Sequence, residues 1–165
     1  MKNDPRPLDD GYLDHLVDED APPAKEDPRP VIRVDKERLG VVHATWDAVG
    51  KANEPPTLYQ RGGELAMIRF SPDAPSEIKP VGIAEVTGVA MRAARFHGKR
   101  GPADPPKVIM ADMIASPDPG LPILDALVRC PVLDKRGRLV NQAGYDAASG
   151  LYYDPPEGFK VPTVP

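Results

Sequence analysis

The chain has 165 residues and a formal net charge of −4, which allows one compact domain with tails. No apolar run approaches the ~20 residues of a membrane-spanning helix, and the N-terminus lacks the apolar stretch of a signal peptide. The 22 prolines, well over twice the ordinary usage of about 5%, predict long connections and a modest core. The single cysteine excludes an internal disulfide and is weakly indicative of the cytoplasm, where we expect the protein.

Negative charge is concentrated at the N-terminus. Residues 1–30 hold nine acidic and four basic side chains and six prolines, whereas the rest of the chain holds 16 acidic and 17 basic side chains. We therefore expect residues 1–30 to be a disordered tail, which could compete with nucleic acid for basic surface on the body. Four apolar residues lie within it: Tyr12, Leu13, Leu16 and Val17. They fit either a disordered tail or a short partner-docking helix.

The body begins with a predicted strand and helix. Residues 31–34, VIRV, are a β-branched run typical of a strand. A helix is expected from Arg38, with Asp35 as its cap and a stop at Gly50 and Asn53. Apolar residues at spacings of three and four mark one face of it: Leu39, Val42, Trp46 and Val49. The tryptophan is the expected core anchor of this half.

A hairpin is predicted next, because TLYQ and ELAMIRF flank the turn-forming Arg61-Gly62-Gly63. Residues 78–83, IKPVGI, predict a third strand at an edge, since Pro80 cannot donate a ladder hydrogen bond. The pattern over residues 84–97 then predicts a second helix.

A Gly/Pro-rich linker over residues 98–106 is expected to lead into a short helix, KVIMADMIAS, whose first turn Pro105-Pro106 opens. The stretch 131–156 predicts a β-meander with turns at Gly137 and Gly150. In each turn an aspartate, Asp134 or Asp146, is placed to accept hydrogen bonds from its own backbone.

This order of elements predicts an α+β fold. We expect a small, mostly antiparallel sheet with two or three helices on one face, a C-terminal β-meander and the disordered N-terminal tail. The domain would span residues 31–160, with sub-units 31–97 and 105–160 left open, and residues 161–165 would form an extended terminus.

A basic cluster without any acidic residue lies at RAARFHGKR. Its candidate nucleic-acid-binding residues are Arg92, Arg95, His97, Lys99 and Arg100. The two arginines three apart would share a helix face, and Phe96 and His97 could stack on bases. The alternative is that the cations favour the C-terminus of the helix dipole and need no ligand.

Arg61 is the sixth candidate. A Gly-Gly turn lets backbone approach a phosphate, to which Arg61 would add charge-assisted hydrogen bonds. Alternatively, the glycines simply form the turn and the arginine is solvated.

No motif for catalysis, cofactor or metal binding is recognisable, so we expect no enzyme activity, no cofactor and no metal. The phosphate loop, the dinucleotide fingerprint and the HExxH zinc motif are all absent from the sequence. His43 and Asp47 are spaced like a dyad but have no nucleophile in a recognisable context. Cys130 follows Arg129, which could favour its thiolate, although a small strand residue is the alternative.

Three segments carry a resemblance to a known family. They are VIRVDKERLGVVHATWDAV, LYQRGGELAMI and PVLDKRGRLVNQAGYDAASGLYYDPP, with matching residues at Leu58 to Gly63, Pro131, Leu133, Gly137, Leu139, Gly144, Tyr145, Asp146, Gly150 and Leu151. On the basis of these segments, residues 31–160 resemble the N-terminal and linker region of phage- and plasmid-encoded primase-helicase-like replication ATPases. The resemblance implies mobile-element DNA replication as the context, without the ATPase domain, which in that family follows the position of VPTVP.

Two functions are therefore expected from the sequence. The first is a non-catalytic accessory or N-terminal module of a phage-type DNA replication protein. It would bind single-stranded or duplex DNA, or position a replication ATPase or helicase partner. The alternative is a phage or mobile-element protein-interaction module that does not bind nucleic acid.

Overall fold

The computed structural model describes residues 27–71 and 74–159, and within these residues it has three helices and eleven short strands. The helices are α1 (Arg38–Ala52), α2 (Ile83–Ala93) and α3 (Lys107–Ala115). The strands are β1 (Val31–Arg33), β2 (Leu58–Arg61), β3 (Glu64–Arg69), β4 (Glu77–Pro80), β5 (Arg95–Gly98), β6 (Gly101–Pro102), β7 (Ala126–Val128), β8 (Val132–Leu133), β9 (Leu139–Val140), β10 (Gly144–Asp146) and β11 (Leu151–Tyr153). Residues 1–26 of the expected tail and the expected terminus 161–165 lie outside the described residues.

The described strands form several small sheets, and the predicted α+β class is confirmed. Sheet β2-β3-β4 is antiparallel in chain order, as the predicted hairpin and edge strand require. Sheets β1-β5-β6 and β10-β11-β7 each contain one parallel pair between strands that are distant in sequence. Strands β8 and β9 pair only with each other. The strands are thus divided among separate sheets instead of forming one.

The main core lies between the three helices. Val42, Trp46 and Val49 of α1 are buried, so the predicted core position of Trp46 is confirmed. Met110 and Met113 of α3 pack into the same cluster. A second cluster joins sheet β2-β3-β4 to the C-terminal strands, with the buried residues Tyr59, Ile68 and Leu124 at its centre.

Three expectations about helix ends are wrong. Helix α1 continues past the expected stop at Gly50 and ends at Ala52, with Asn53 as its C-cap. The N-cap of α1 is Glu37, without a side-chain hydrogen bond, and Asp35 instead accepts a hydrogen bond from Arg33 Nε at 3.1 Å. Helix α2 ends at Ala93, and the residues from Arg95 onward form β5. Phe96 is buried in the strand, and it would also be buried on the apolar face of a helix. The apolar pattern alone therefore does not show where the helix ends and the strand begins.

The strands of the predicted C-terminal β-meander form two hairpins, and these hairpins belong to different sheets. β8–β9 surrounds the turn at Gly137, and β10–β11 surrounds the turn at Gly150. The φ angles of these glycines are 77° and 70°, as the turn prediction requires. Asp134 Oδ1 accepts hydrogen bonds from the backbone of Arg136 and Arg138, which confirms its expected role.

Candidate nucleic-acid interface

The strand pair β1–β5 places cationic side chains on one face of a sheet. Ile32 and Phe96 lie opposite each other in the parallel register, and both are buried in the core. Because side chains alternate along a strand, Arg33, Arg95 and His97 lie on the opposite, outer face. This sheet therefore brings together residues that are more than sixty positions apart in sequence.

Three more cations of the candidate cluster lie close to β5 along the chain. Lys99 and Arg100 occupy the turn between β5 and β6 and are exposed. Arg92 is exposed in the last turn of α2, a helix that packs against β5. The name basic surface is used below for six residues: Arg33, Arg92, Arg95, His97, Lys99 and Arg100.

The positions of these residues limit the helix-dipole explanation of the cluster. Arg92 lies in the last turn of α2, where its charge favours the helix dipole. Arg95, Lys99 and Arg100 lie beyond the end of the helix, and the strand that contains Arg95 runs along β1. Stabilisation of a helix C-terminus therefore accounts for Arg92 alone.

Arg95 contacts the segment that precedes β1. Its backbone N–H donates to Pro30 O at 2.8 Å, and its Nε donates to Arg29 O at 3.4 Å. Asp27 Oδ2 lies 3.9 Å from Arg95 Nε, and the arginine side chain remains 40% exposed. Its guanidinium is thus partly neutralised by the last acidic residue of the segment predicted to be the tail.

Asp27 is itself held by Arg29. Arg29 donates to both carboxylate oxygens, from Nε to Oδ1 at 3.0 Å and from Nη2 to Oδ2 at 2.5 Å, and these bonds lower the pKa of Asp27 well below its usual value. Arg29 Nη1 also donates to Met91 O at 2.6 Å. These contacts attach residues 27–30 to α2 and β5, although the sequence predicted that the whole of residues 1–30 would be disordered.

Arg33 is a member of the basic surface that the sequence reasoning missed. It forms an ion pair with Asp35, with Nε and Oδ1 3.1 Å apart, and is exposed. Within the described residues Arg92, Lys99 and Arg100 have no acidic partner within 4.0 Å. The alternation in VIR could have indicated that Arg33 faces away from the core, but the pairing of β1 with β5 has no local signal.

A small cavity of 290 Å³ lies beside the outer face. Its lining combines Arg29, Arg95 and His97 with the apolar side chains of Met91 and Pro102. Cations beside half-exposed apolar groups can hold a phosphate next to a flat ring.

Two other expected contacts are placed elsewhere. Phe96 is 4% exposed and belongs to the main core, so the expectation that it stacks on a base is wrong. Arg61 is exposed at the end of β2, opposite Glu64, in a sheet that does not include β5. The φ angles of Gly62 and Gly63 are 59° and 87°, as the predicted tight turn demands. The candidate set is therefore divided: Arg95 to Arg100 lie on β5 and its following turn, Arg92 lies at the end of α2, and Arg61 lies in another sheet.

The groups considered for catalysis are not brought together. Asp47 Oδ2 accepts a hydrogen bond from Lys51 Nζ at 2.7 Å, four residues along α1, and does not pair with His43. Cys130 is exposed after the end of β7 and is not part of a strand. Among residues 27–71 and 74–159, no three His, Cys, Asp or Glu side chains cluster closely enough to hold a metal ion. None of the helices found there combines the length and apolar character needed to cross a bilayer.

Comparisons with known protein families, curated proteins and solved structures give no match to this chain.

Proposed function

We propose that this chain is a non-catalytic module that binds single-stranded nucleic acid through the basic surface. The observation that carries the proposal is the parallel register of β1 and β5, which sets Arg33, Arg95 and His97 on one face beside the cationic β5–β6 turn. Guanidinium and ammonium groups along an open face would contact successive phosphates, and His97 would offer a ring for stacking.

The net charge of the whole chain does not favour nucleic-acid binding, so the basic surface would have to provide it. The net charge is −4, so the protein as a whole repels nucleic acid, and binding must come from the basic surface itself. Three of its residues, Arg92, Lys99 and Arg100, have no carboxylate partner in the described part of the chain and would contact phosphate without first breaking an ion pair. The resemblance to primase-helicase-like proteins supports DNA replication as the setting and an accessory or N-terminal module as the role.

The test is fluorescence anisotropy of a labelled single-stranded DNA at several salt concentrations, with a duplex of the same sequence in parallel. The variant Lys99→Ala/Arg100→Ala should weaken binding at low salt. Because each lost phosphate contact reduces the slope of log K against log salt by ~0.7 for single strands, the slope should fall by about 1.4.

The chain offers a matched control for this variant. Lys135 and Arg136 form the same Lys-Arg pair in the exposed turn between β8 and β9. The variant Lys135→Ala/Arg136→Ala removes the same charge from another hairpin and should bind as the unmodified protein does. Equal losses in the two variants, or no binding by the unmodified protein at low salt, would overturn the proposal.

A further inference from the structure

A second surface lies between α1 and the segment that follows α3. It is a groove of 830 Å³, called the α1/α3 groove below, and it shares no residue with the basic surface. On one side it is lined by a stripe of α1 at helical spacing: Leu39, Val42, His43 and Trp46. On the other side it is lined by residues 115–119.

The floor of the α1/α3 groove is apolar, and one apolar side chain stands open at its entrance. Val42 and Trp46 are 7% and 5% exposed and form part of the main core. Leu39 is 60% exposed, although the sequence predicts it on the same buried face. An exposed leucine that continues a buried stripe leaves the apolar face of α1 incompletely covered.

The rim of the groove carries an excess of negative charge. Four carboxylates line it, from Glu37, Asp47, Asp112 and Asp118, against the guanidinium of Arg38. Arg38 forms a bidentate ion pair with Asp112, and Asp47 pairs with Lys51 at the exposed surface. Within the described residues Glu37 and Asp118 have no cationic partner within 4.0 Å.

Trp46 has an unsatisfied donor. Its indole Nε1 is buried and has no acceptor among the described residues, so packing alone holds the ring at the floor of the groove. It is also the single tryptophan of the chain. Its emission therefore reports on this groove without interference from another indole.

We propose that the α1/α3 groove docks an amphipathic segment of a partner protein, with leucine-like anchors for the apolar floor and lysine or arginine for the acidic rim. The charge of the rim argues against the chain's own N-terminal segment as the occupant. That segment combines Leu13 and Leu16 with Asp14, Asp18, Glu19 and Asp20, which the rim would repel. A second copy of the chain is the remaining occupant to test.

The probe is a designed amphipathic peptide of leucine and lysine, about four turns long so that it can form a helix on binding. Titration of the full chain should change the tryptophan emission in a saturable way. The same peptide with glutamate in place of lysine should bind at least about tenfold more weakly, because the rim repels it.

Two variants connect the binding to the groove. Leu39→Glu removes the exposed anchor and should weaken the leucine-lysine peptide about tenfold or more. Asp118→Lys should weaken it and strengthen the leucine-glutamate peptide. The matched control is Leu139→Glu, since Leu139 is also a half-exposed leucine, 49% exposed on β9 and outside the groove.

The outcomes separate the occupants. Equal binding of the two peptides, or equal loss in Leu39→Glu and Leu139→Glu, would overturn the proposal. Self-association in sedimentation velocity that Leu39→Glu abolishes would assign the groove to a second copy instead. No binding by a chain whose circular dichroism shows it to be folded would also overturn it.

Discussion

Arg138 donates a hydrogen bond to Asp146 across two hairpins, from Nη1 to Oδ1 at 3.1 Å. The same guanidinium donates from Nε to Asp134 Oδ2 at 3.1 Å. Asp134 opens the β8–β9 turn and Asp146 opens the β10–β11 turn, so one cation connects the carboxylates at the start of both turns. Since the two hairpins belong to different sheets, this ion-pair group ties together a region that has few strand pairings of its own.

The first prediction follows from the charge of Asp146. Hydrogen bonds from Arg138 and Ser149 lower its pKa from 3.8 to about 2. A carboxyl group with a lowered pKa stabilises the fold above its unfolded pKa, and this contribution is lost as the pH falls through the folded pKa. The melting temperature of Asp146→Asn should therefore decline less than that of the unmodified protein between about pH 4 and pH 2.

This test needs a control because other carboxylates also titrate there. Asp27, Asp35, Asp112 and Asp134 have lowered pKa values and keep their partners in the variant, so both proteins will lose some stability in acid. The variant Asp104→Asn, at an exposed position, should follow the unmodified protein when thermal unfolding is recorded by circular dichroism. A decline in Asp146→Asn as steep as in Asp104→Asn would contradict the prediction.

The second prediction compares the glycines of the two turns. Gly137 and Gly150 both have positive φ, so alanine at either is strained by roughly 1–2 kcal/mol. A Cβ at Gly137 would meet no atom within 4 Å, whereas at Gly150 it would lie 3.1 Å from the backbone O of Ile123. Gly150→Ala should therefore lower the free energy of unfolding by about 1–3 kcal/mol more than Gly137→Ala.

Urea unfolding measures this difference, and Gly50 supplies the reference. Gly50 lies in α1 without a positive φ, and a Cβ there would meet nothing within 4 Å. Gly50→Ala should stabilise the protein by up to about 1 kcal/mol, since alanine favours a helix. If Gly137→Ala cost as much as Gly150→Ala, the contact with Ile123 O would have no energetic effect.

Local signals in the sequence predicted the helices, the tight turns and the edge position of β4. Gly62, Gly63, Gly137 and Gly150 mark turns because each turn needs a positive φ that glycine adopts readily. The end of α2 could not be placed, because a buried Phe96 satisfies both a helical and a strand pattern. This segment forms a strand because it pairs with β1, which lies more than sixty residues earlier in the chain.

The same reason limits what the sequence could indicate about the candidate site. The basic run after Arg92 is visible as composition, and four of its residues lie on or beside β5 as one group. The parallel pairing of β1 with β5 places Arg33 on the outer face with the candidate residues and buries Phe96 in the core. No turn residue in the sequence predicts a parallel pairing between strands so far apart. Arg61 has the same local character as the other candidates, but its hairpin belongs to another sheet.

The third prediction concerns Asn53, which connects the end of α1 to β2. Its buried side chain accepts from the backbone N–H of Thr57 at 2.8 Å and of Leu58 at 3.0 Å, and it donates to Leu58 O at 2.8 Å. Asn53→Ala would leave these groups unpaired in a buried position, so the free energy of unfolding should fall by about 3 kcal/mol. The nearby variant Lys51→Ala should change it by no more than ~0.5 kcal/mol, because this side chain and its Asp47 partner are exposed.

The fourth prediction concerns the acidic N-terminal segment and nucleic acid. Asp27 follows directly on residues 1–26 and lies 3.9 Å from Arg95 at the basic surface, so the preceding acidic residues are attached next to the proposed phosphate contacts. The triple variant Asp18→Asn/Glu19→Gln/Asp20→Asn should therefore bind single-stranded DNA several-fold more tightly at low salt, and the gain should disappear at high salt. The matched triple Asp47→Asn/Asp118→Asn/Glu157→Gln makes the same change in net charge elsewhere. Because charges close to a binding site act more strongly than distant ones, the N-terminal triple should gain more. Equal gains in anisotropy titrations would mean that net charge alone is responsible, and that the segment does not compete for the basic surface.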